Sequence, residues 1–301
     1  MVLDDLIQRI ALVLLTMEPG QRLPTVREMA SQMAASVGST QAALASLEES
    51  GACTIEKRGH LGSFLVERSL RKIWNILMSD PLIIALPLPS NRRLEGLATG
   101  IKQLLHESGI DVFLIFVRGS KNRIRALQEG RCHVAAMSGF AAREAVGERQ
   151  VCASLLSPYT FISGHNIYVS PHADLNRKPL RVLIDIDSAD LQRMTELEFG
   201  NLDVEYIPGN FLKLPDLLMN GIGDIMIWEI DEALLHLPAD IEVQPLSQHL
   251  KDRIQLSHTQ TALVCNKDNI AVQTILNTYI KDAEIQKIQD EILRGERVPE
   301  Y

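Results

Sequence analysis

The sequence is poor in several features that would announce a function. It has four cysteines, and Cys53, Cys132, Cys152 and Cys265 lie far apart with no Cys-x-x-Cys spacing. That argues against both a disulfide framework and a zinc site. The eight histidines, at 60, 106, 133, 165, 172, 236, 249 and 258, show no His-Glu-x-x-His or other ligand spacing, and most of them read as surface or capping residues. There is no Gly-x-Ser-x-Gly and no phosphate-cradling glycine loop, so no catalytic residue, metal or cofactor is expected and the chain does not read as an enzyme. No run reaches the about 18 apolar residues a bilayer crossing needs. The start, Met1-Val2-Leu3-Asp4-Asp5, is acidic where a secretory signal is basic. The expected setting is the cytoplasm, with no membrane partner.

What is present is ordinary globular material. The 301 residues are 46% hydrophobic and 23% charged, enough apolar surface for two or three compact units. The N-terminal 68 residues read as helix, tight turn, helix, then a glycine-tipped hairpin. Leu3, Leu6, Ile7, Ile10 and Leu14 recur at helical spacing, and Pro19-Gly20 ends that helix. Thr25 caps a second helix with Val26, Met29, Ala30 and Met33 inward. After a short turn at Ala34-Ala35, Ser36 caps a third helix with Thr40, Ala43, Leu44 and Leu47 inward and Gly51 at its C′ position. Two short helices this close place the second in a major groove. Strands at 53–56 and 63–66 flank the basic turn Lys57-Arg58-Gly59-His60-Leu61-Gly62, shaped to approach phosphates or a minor groove. This is a winged helix-turn-helix, and its expected partner is double-stranded DNA. Charge is its weak point. The chain carries −8 overall, and the first 69 residues hold six cations against eight carboxylates, so affinity depends on where the charges sit.

Gly20-x-Arg22-Leu23-Pro24-Thr25-x-Arg27-x-Met29-Ala30, with Leu47-Glu48-x-x-Gly51 and the wing glycines before Ser63-Phe64-Leu65, resembles the GntR-type family of bacterial transcription regulators over about the first 66 residues. That resemblance implies phosphate contacts for Thr25 and Arg27. It places Ser36, Gly38, Ser39 and Gln41 near the start of the recognition helix, and Lys57, Arg58, Gly59 and His60 on the wing. The sequence departs from the family where Val37, Gln41 and Ala45 replace recognition-helix arginines, which leaves Gln41 as the base-reading side chain, fitted to adenine. For Arg27 an ion pair with Glu28 or Glu48 is the competing reading. A degenerate head serving dimerisation is the competing reading for the whole module. The full chain also resembles the YhfZ group of regulators, which join such a head to a binding-protein-like domain.

Leu70, Ile73, Trp74 and Leu77 sit at helical spacing, so 69–79 reads as a connecting helix in which Trp74 packs rather than binds. From 80 to 301 the texture alternates strand and helix, implying parallel strands with helices on their faces. The pattern recurs. Residues 126–138 align without gaps on 217–229, each a helix end, a C′ glycine, a polar residue and a buried strand, and 82–90 matches 180–188 in layout. Two α/β lobes with a cleft between them follow: lobe I at about 80–170 and 256–301, lobe II at about 171–255. This resembles the type II periplasmic-binding-protein fold, which implies a small-molecule effector.

In such folds ligands meet loops after strand C-termini, where helix N-termini present free N–H donors. Ser90-Asn91-Arg92-Arg93 is the sharpest candidate, because arginines in a first turn oppose the helix dipole unless an anion sits there. An anionic metabolite is therefore expected, with two solvated arginines as the alternative. Ser138-Gly139 and Ser188 start further helices, with capping as their alternative role. Trp228 and Glu229 end a strand as an aromatic wall and a carboxylate, the tryptophan placed in the cleft because its N–H needs a partner. Asn210-Phe211 is a weaker candidate. The combined expectation is a homodimeric, ligand-sensing transcription regulator. The alternative is an enzyme or binding protein on the same fold with a vestigial head.

Overall fold

The computed structural model describes residues 3–78 and 81–301; the expected boundary at 79/80 and the first two residues lie outside them. In chain order the elements are α1 (Leu3–Thr16), α2 (Val26–Gln32), α3 (Val37–Glu49), β1 (Cys53–Lys57), β2 (Ser63–Arg68), α4 (Leu70–Met78), β3 (Leu82–Leu86), α5 (Arg92–Glu107), β4 (Val112–Phe116), α6 (Ser120–Gln128), β5 (Val134–Ser138), α7 (Gly139–Ala145) and β6 (Gln150–Leu155). They continue with β7 (His165–Val169), β8 (Leu180–Ile184), α8 (Ala189–Phe199), β9 (Val204–Pro208), α9 (Leu214–Met219), β10 (Ile225–Glu229), α10 (Ile230–His236), β11 (Glu242–Gln244), α11 (Gln248–Ile254), β12 (Thr261–Asn266), α12 (Ile270–Tyr279) and α13 (Asp282–Leu293). The chain divides into two compact units. One holds the N-terminal part through Leu82 with Gln103–Phe113 and Asn269–Tyr279; the other holds Ile83–Lys102, Leu114–Asp268 and Ile280–Tyr301.

The first unit contains the winged helix-turn-helix. Thr25 and Glu28 form a reciprocal capping box on α2, the Thr25 N–H donating to Glu28 at 2.6 Å and the Glu28 N–H to Thr25 Oγ1 at 3.2 Å. Ser36 caps α3 by accepting from the Ser39 N–H at 3.0 Å, and Gly51 takes φ +69° just after the helix. Such caps satisfy N–H groups that have no intrahelical partner. The wing hairpin β1–β2 is antiparallel and gains a third extended segment. Gly20 donates to Leu65 O at 2.7 Å, Leu65 to Gln21 O at 3.0 Å and Leu23 to Ser63 O at 2.8 Å. Leu6, Ile10 and Leu14 of α1 are buried with Met29, Leu47, Leu65, Ile73 and Trp74, and α1 packs against α3, α4 and α12. Each fully buried Leu or Ile side chain there contributes about 1.5–3 kcal/mol of transfer free energy. Trp74 is core, and α12, expected to complete lobe I, lies in this unit.

Arg68 is folded back on the end of α1. Its guanidinium donates to Leu14 O at 3.2 Å, to Leu15 O at 2.9 Å and to Met17 O, while Nη2 reaches Glu18 at 2.7 Å and the Tyr279 hydroxyl at 3.1 Å. A cation at a helix C-terminus satisfies terminal carbonyls and meets the negative end of the dipole.

The second unit carries two five-stranded sheets of equivalent layout, β4-β3-β5-β12-β6 and β9-β8-β10-β7-β11. In each, the central strand (β5 or β10) has a parallel neighbour on one side and an antiparallel one on the other. This equivalence is the structural form of the repeat between 126–138 and 217–229, and the two C′ glycines, Gly130 and Gly221, both take positive φ. The fold is a type II periplasmic-binding-protein-like domain. β12 belongs to the first sheet, as its apolar run suggests. β7 already belongs to the second, so the chain crosses between lobes before 165 rather than near 170. The reason is that β7 pairs antiparallel with β10 over all five residues. His165 and His258 also depart from the reading of surface histidines. Both are buried, with ring centroids 5.4 Å apart, and burial lowers His165 to about 3.

Candidate functional site

A cavity of about 70 Å³ lies where the strand ends of the two lobes face each other. At the ~15 Å³ that one water requires, this is room for roughly five waters or a ligand of comparable size. From lobe I, Ser90, Arg118, Gly119, Ser120 and Arg123 reach it; from lobe II, Asp185, Ser188, Asp190, Phe211 and Glu229 do. Leu88, Leu94 and Phe161 supply apolar wall.

Polar contacts surround the cavity and join the lobes. Arg118, in the loop after β4, donates to Asp185 at 3.2 Å and to Asp187 in the loop after β8. Ser138 Oγ donates to Asp190 at 2.7 Å, the Ala189 N–H to Ser120 Oγ at 2.9 Å, and Lys121 to Ile186 O at 2.8 Å. Ser90 Oγ and Asn91 Nδ2 both donate to Glu232 Oε1, the latter at 3.0 Å. Gly119 is required at its place. It has φ +78°, and a Cβ there would stand 2.6 Å from Asp187 O.

Electrostatics distinguish the carboxyls. Burial raises Asp185, against the opposing Asp187 N–H and Arg118. Burial works to raise Asp190 as well, yet the Ser188 and Ser138 hydroxyls, His165 and the Leu191 N–H outweigh it and hold Asp190 below its usual value. Glu229 lies well above the usual carboxylate range, through burial first and then through Glu232, Asp190 and Asp231, with Arg123 opposing. Arg123 is itself lowered to about 10 by burial.

The residues anticipated from sequence separate into three groups. Ser90, Ser188 and Glu229 border the cavity. Asn91 and Ser138 sit behind it: Asn91 caps α5 through the Leu94 N–H at 3.0 Å and Ser138 caps α7 through the Ala141 N–H at 2.9 Å, both while bridging the lobes. Arg92, Arg93, Gly139 and Trp228 lie elsewhere. Arg92 is exposed and pairs with Glu95 at 3.4 Å, so the first-turn dipole cost is offset by a local carboxylate. Arg93 donates to Tyr159 O at 2.6 Å and to Ser163 Oγ at 3.3 Å, which turns it away from the cavity. Gly139 packs under Ser257 and Leu155. Trp228 is fully buried among Tyr168, Leu214, Leu218 and Met226. It is core because alternation on β10 sends Met226 and Trp228 to one helix-covered face and Ile225 and Ile227 to the other. Its Nε1 has no hydrogen-bond partner among the described residues, so the requirement that placed it in the cleft is not met there. The sequence reading missed Arg118, Gly119, Ser120, Arg123 and Asp185. The loop after β4 obeys the same strand-end rule, with a strand read at 112–117 and a helix from about 122 to 128, so the signal that could have found its residues was present.

On the head, Thr25, Arg27, Ser36, Gly38, Ser39, Gln41, Lys57, Arg58, Gly59 and His60 are all exposed. Their commitments differ. The Thr25 and Ser36 hydroxyls are caps, and Arg58 pairs with Glu56 at 2.6 Å while lying over the Phe64 ring. Arg22, Arg27 and Lys57 have no hydrogen-bonded or ion-paired side-chain partner among the described residues, so the competing ion pair for Arg27 is not made.

A model of the YhfZ C-terminal domain matches residues 69–301. The chain belongs to the YhfZ family. A helix-turn-helix domain model matches residues 18–65, within the first unit. The chain is 31% identical over 296 residues to the protein YhfZ of Escherichia coli strain K12, covering 98% of this chain and 96% of that one. The crystal structure of YhfZ from Shigella flexneri aligns at TM-score 0.61 and 27% identity over 73% of this chain and 93% of that chain. The periplasmic VFT2 domain of Bordetella pertussis BvgS aligns at TM-score 0.52 and 17% identity over 73% of this chain and 96% of that one, and shares the fold. No helix among the described residues is long and apolar enough to cross a membrane.

Proposed function

We propose that this YhfZ-family protein is a DNA-binding transcription regulator whose C-terminal domain senses a small metabolite in the interlobe cavity. The observation that carries this is the union, in one chain, of a helix-turn-helix with an exposed reading face and a two-lobed domain with a lined cavity between its lobes. On this reading α3 is the recognition helix and Gly38, Ser39 and Gln41 meet DNA. Thr25, Arg27, Lys57 and His60 meet its backbone in the manner of a GntR-type head. The protein acts in the cytoplasm as a homodimer, because one short head gains usable affinity by pairing on a two-fold site. The effector bridges the lobes and alters DNA affinity through its preference for one lobe arrangement. The anionic group expected of it keeps one candidate cation, Arg123, in place of Arg92 and Arg93. An electrophoretic mobility shift with duplex from beside the protein's own gene tests the proposal. The expected result is a discrete, competitor-resistant complex that Gln41→Ala and Arg27→Ala each weaken. Equal, salt-labile binding to any duplex, unchanged by both substitutions, overturns it.

A further inference from the structure

The polar groups around the cavity divide into those the protein already satisfies and those it does not. Arg118 is spent on Asp185 and Asp187. Asp190 accepts from Ser138, Ser188 and the Leu191 N–H, and Asp185 from Arg118 and the Asp187 N–H. Two groups remain. Arg123 is 4% exposed; its Nε donates to Ala136 O at 2.6 Å and its Nη1 to Val117 O at 2.7 Å. Those bonds fix the guanidinium plane and leave Nη2 without a partner among the described residues. The Glu229 carboxylate likewise has neither a hydrogen bond nor an ion pair among them. Both border the same cavity, yet they stand farther apart than the 4.0 Å of an ion pair.

An unpaired charge in a desolvated site is costly. A guanidinium and a carboxylate that share so small a cavity without pairing are complementary to a molecule that spans them. We infer that the cavity takes a small zwitterion, its carboxylate on Arg123 Nη2 and its ammonium on the Glu229 carboxylate. This rests on the reading of the cavity as the effector site and names the chemistry of that effector. A purely anionic ligand engages Arg123 and leaves on Glu229 the proton that burial keeps there, whereas an ammonium stabilises the ionised carboxylate and so releases that proton on binding. A purely cationic ligand faces the unused guanidinium N–H groups. The cavity volume favours a small molecule, and Leu88, Leu94, Phe161 and Phe211 border it with apolar surface suited to a short apolar side group.

The test is calorimetric titration and thermal shift of the full chain with glycine, alanine, serine, threonine, valine and proline. Each is paired with the amine lacking its carboxylate and the acid lacking its amine, as in ethylamine and propionate for alanine. At least one zwitterion is expected to bind with its amine and acid counterparts silent, and Glu229→Gln to weaken it by about tenfold or more. Arg123→Lys should weaken it similarly, but Arg123 also supports the fold. Glu229→Gln, which breaks no bond within the protein, is therefore the deciding variant. If an acid alone binds as well as its zwitterion and Glu229→Gln changes nothing, the zwitterion inference falls while the effector site stands. If a zwitterion binds with neither substitution affecting it, both fall. Silence across the panel overturns the inference and leaves DNA binding by the head to its own assay.

Discussion

In the free protein, burial and the neighbouring carboxylates Glu232, Asp190 and Asp231 hold the Glu229 proton more tightly than water would. The direction of the stability effect follows from linkage. The folded-state pKa is raised, so between the ordinary carboxylate range and that raised value the folded chain binds more protons than the unfolded one. Stability then falls as pH rises through that window. Glu229→Gln removes the titrating group, so the variant is expected to melt above the parent at neutral pH. The gap should narrow on acidification, as pH falls toward the ordinary carboxylate range and Glu229 approaches neutrality in both states. Melting temperatures of parent and variant between about pH 5 and pH 8 decide the matter, and a parent that is the more stable of the two at pH 8 contradicts it. The same residue would thus cost stability and supply binding, a common relation at functional sites.

At the scale of elements, the two copies of the helix-glycine-strand unit offer an internally controlled comparison. Gly130 ends α6 at φ +70° with nothing within 4 Å of where a methyl would stand, whereas Gly221 ends α9 at φ +65° with His172 Cβ 3.0 Å from that position. Gly130→Ala is therefore expected to cost about 1–2 kcal/mol from left-handed backbone alone. Gly221→Ala should cost more, because His172 must also give way. Denaturant unfolding of both variants ranks them, and a Gly221 variant no worse than its counterpart refutes the argument. These glycines, the caps at Thr25 and Ser36, and the strands β3, β4, β5, β8, β10 and β12 were legible in the sequence because each is set by neighbours within a few positions, whereas β6, β7, β9 and β11 carry no comparable apolar run. Trp228 was not, since the two-sided burial of β10 depends on α9 and the sheet order. Arg118 and Arg123 were not either. Their roles come from partners at Asp185, Asp187, Ala136 and Val117, and those partners are fixed only when the lobes and the sheet are assembled. Arg93 misled for the same reason, because Tyr159 and Ser163, which hold it, lie far along the chain; Arg92 instead has a local partner in Glu95, three residues on.

For the whole molecule, the governing quantity is a net charge of −8 on a protein proposed to grip a polyanion. The head's arrangement sharpens the problem. Arg68 is consumed by the end of α1 and by Glu18, Arg58 by Glu56, and Arg9 reaches Met33 O at 3.0 Å. That leaves Arg22, Arg27 and Lys57 as the uncommitted cations of each head. Each phosphate neutralised by a cation contributes about −0.9 to the slope of log affinity against log salt. A pair of heads using three cations each should then show a slope no steeper than about −5, shallow for a duplex binder. Fluorescence anisotropy of a labelled operator across a salt series measures it directly. A slope near −10 would mean that Arg58, Arg68 or cations outside the head leave their carboxylate and carbonyl partners to join the interface. A slope within the limit, together with sequence preference, would mean that discrimination rests on α3 through Gln41 and its neighbours, with charge serving only to hold the register.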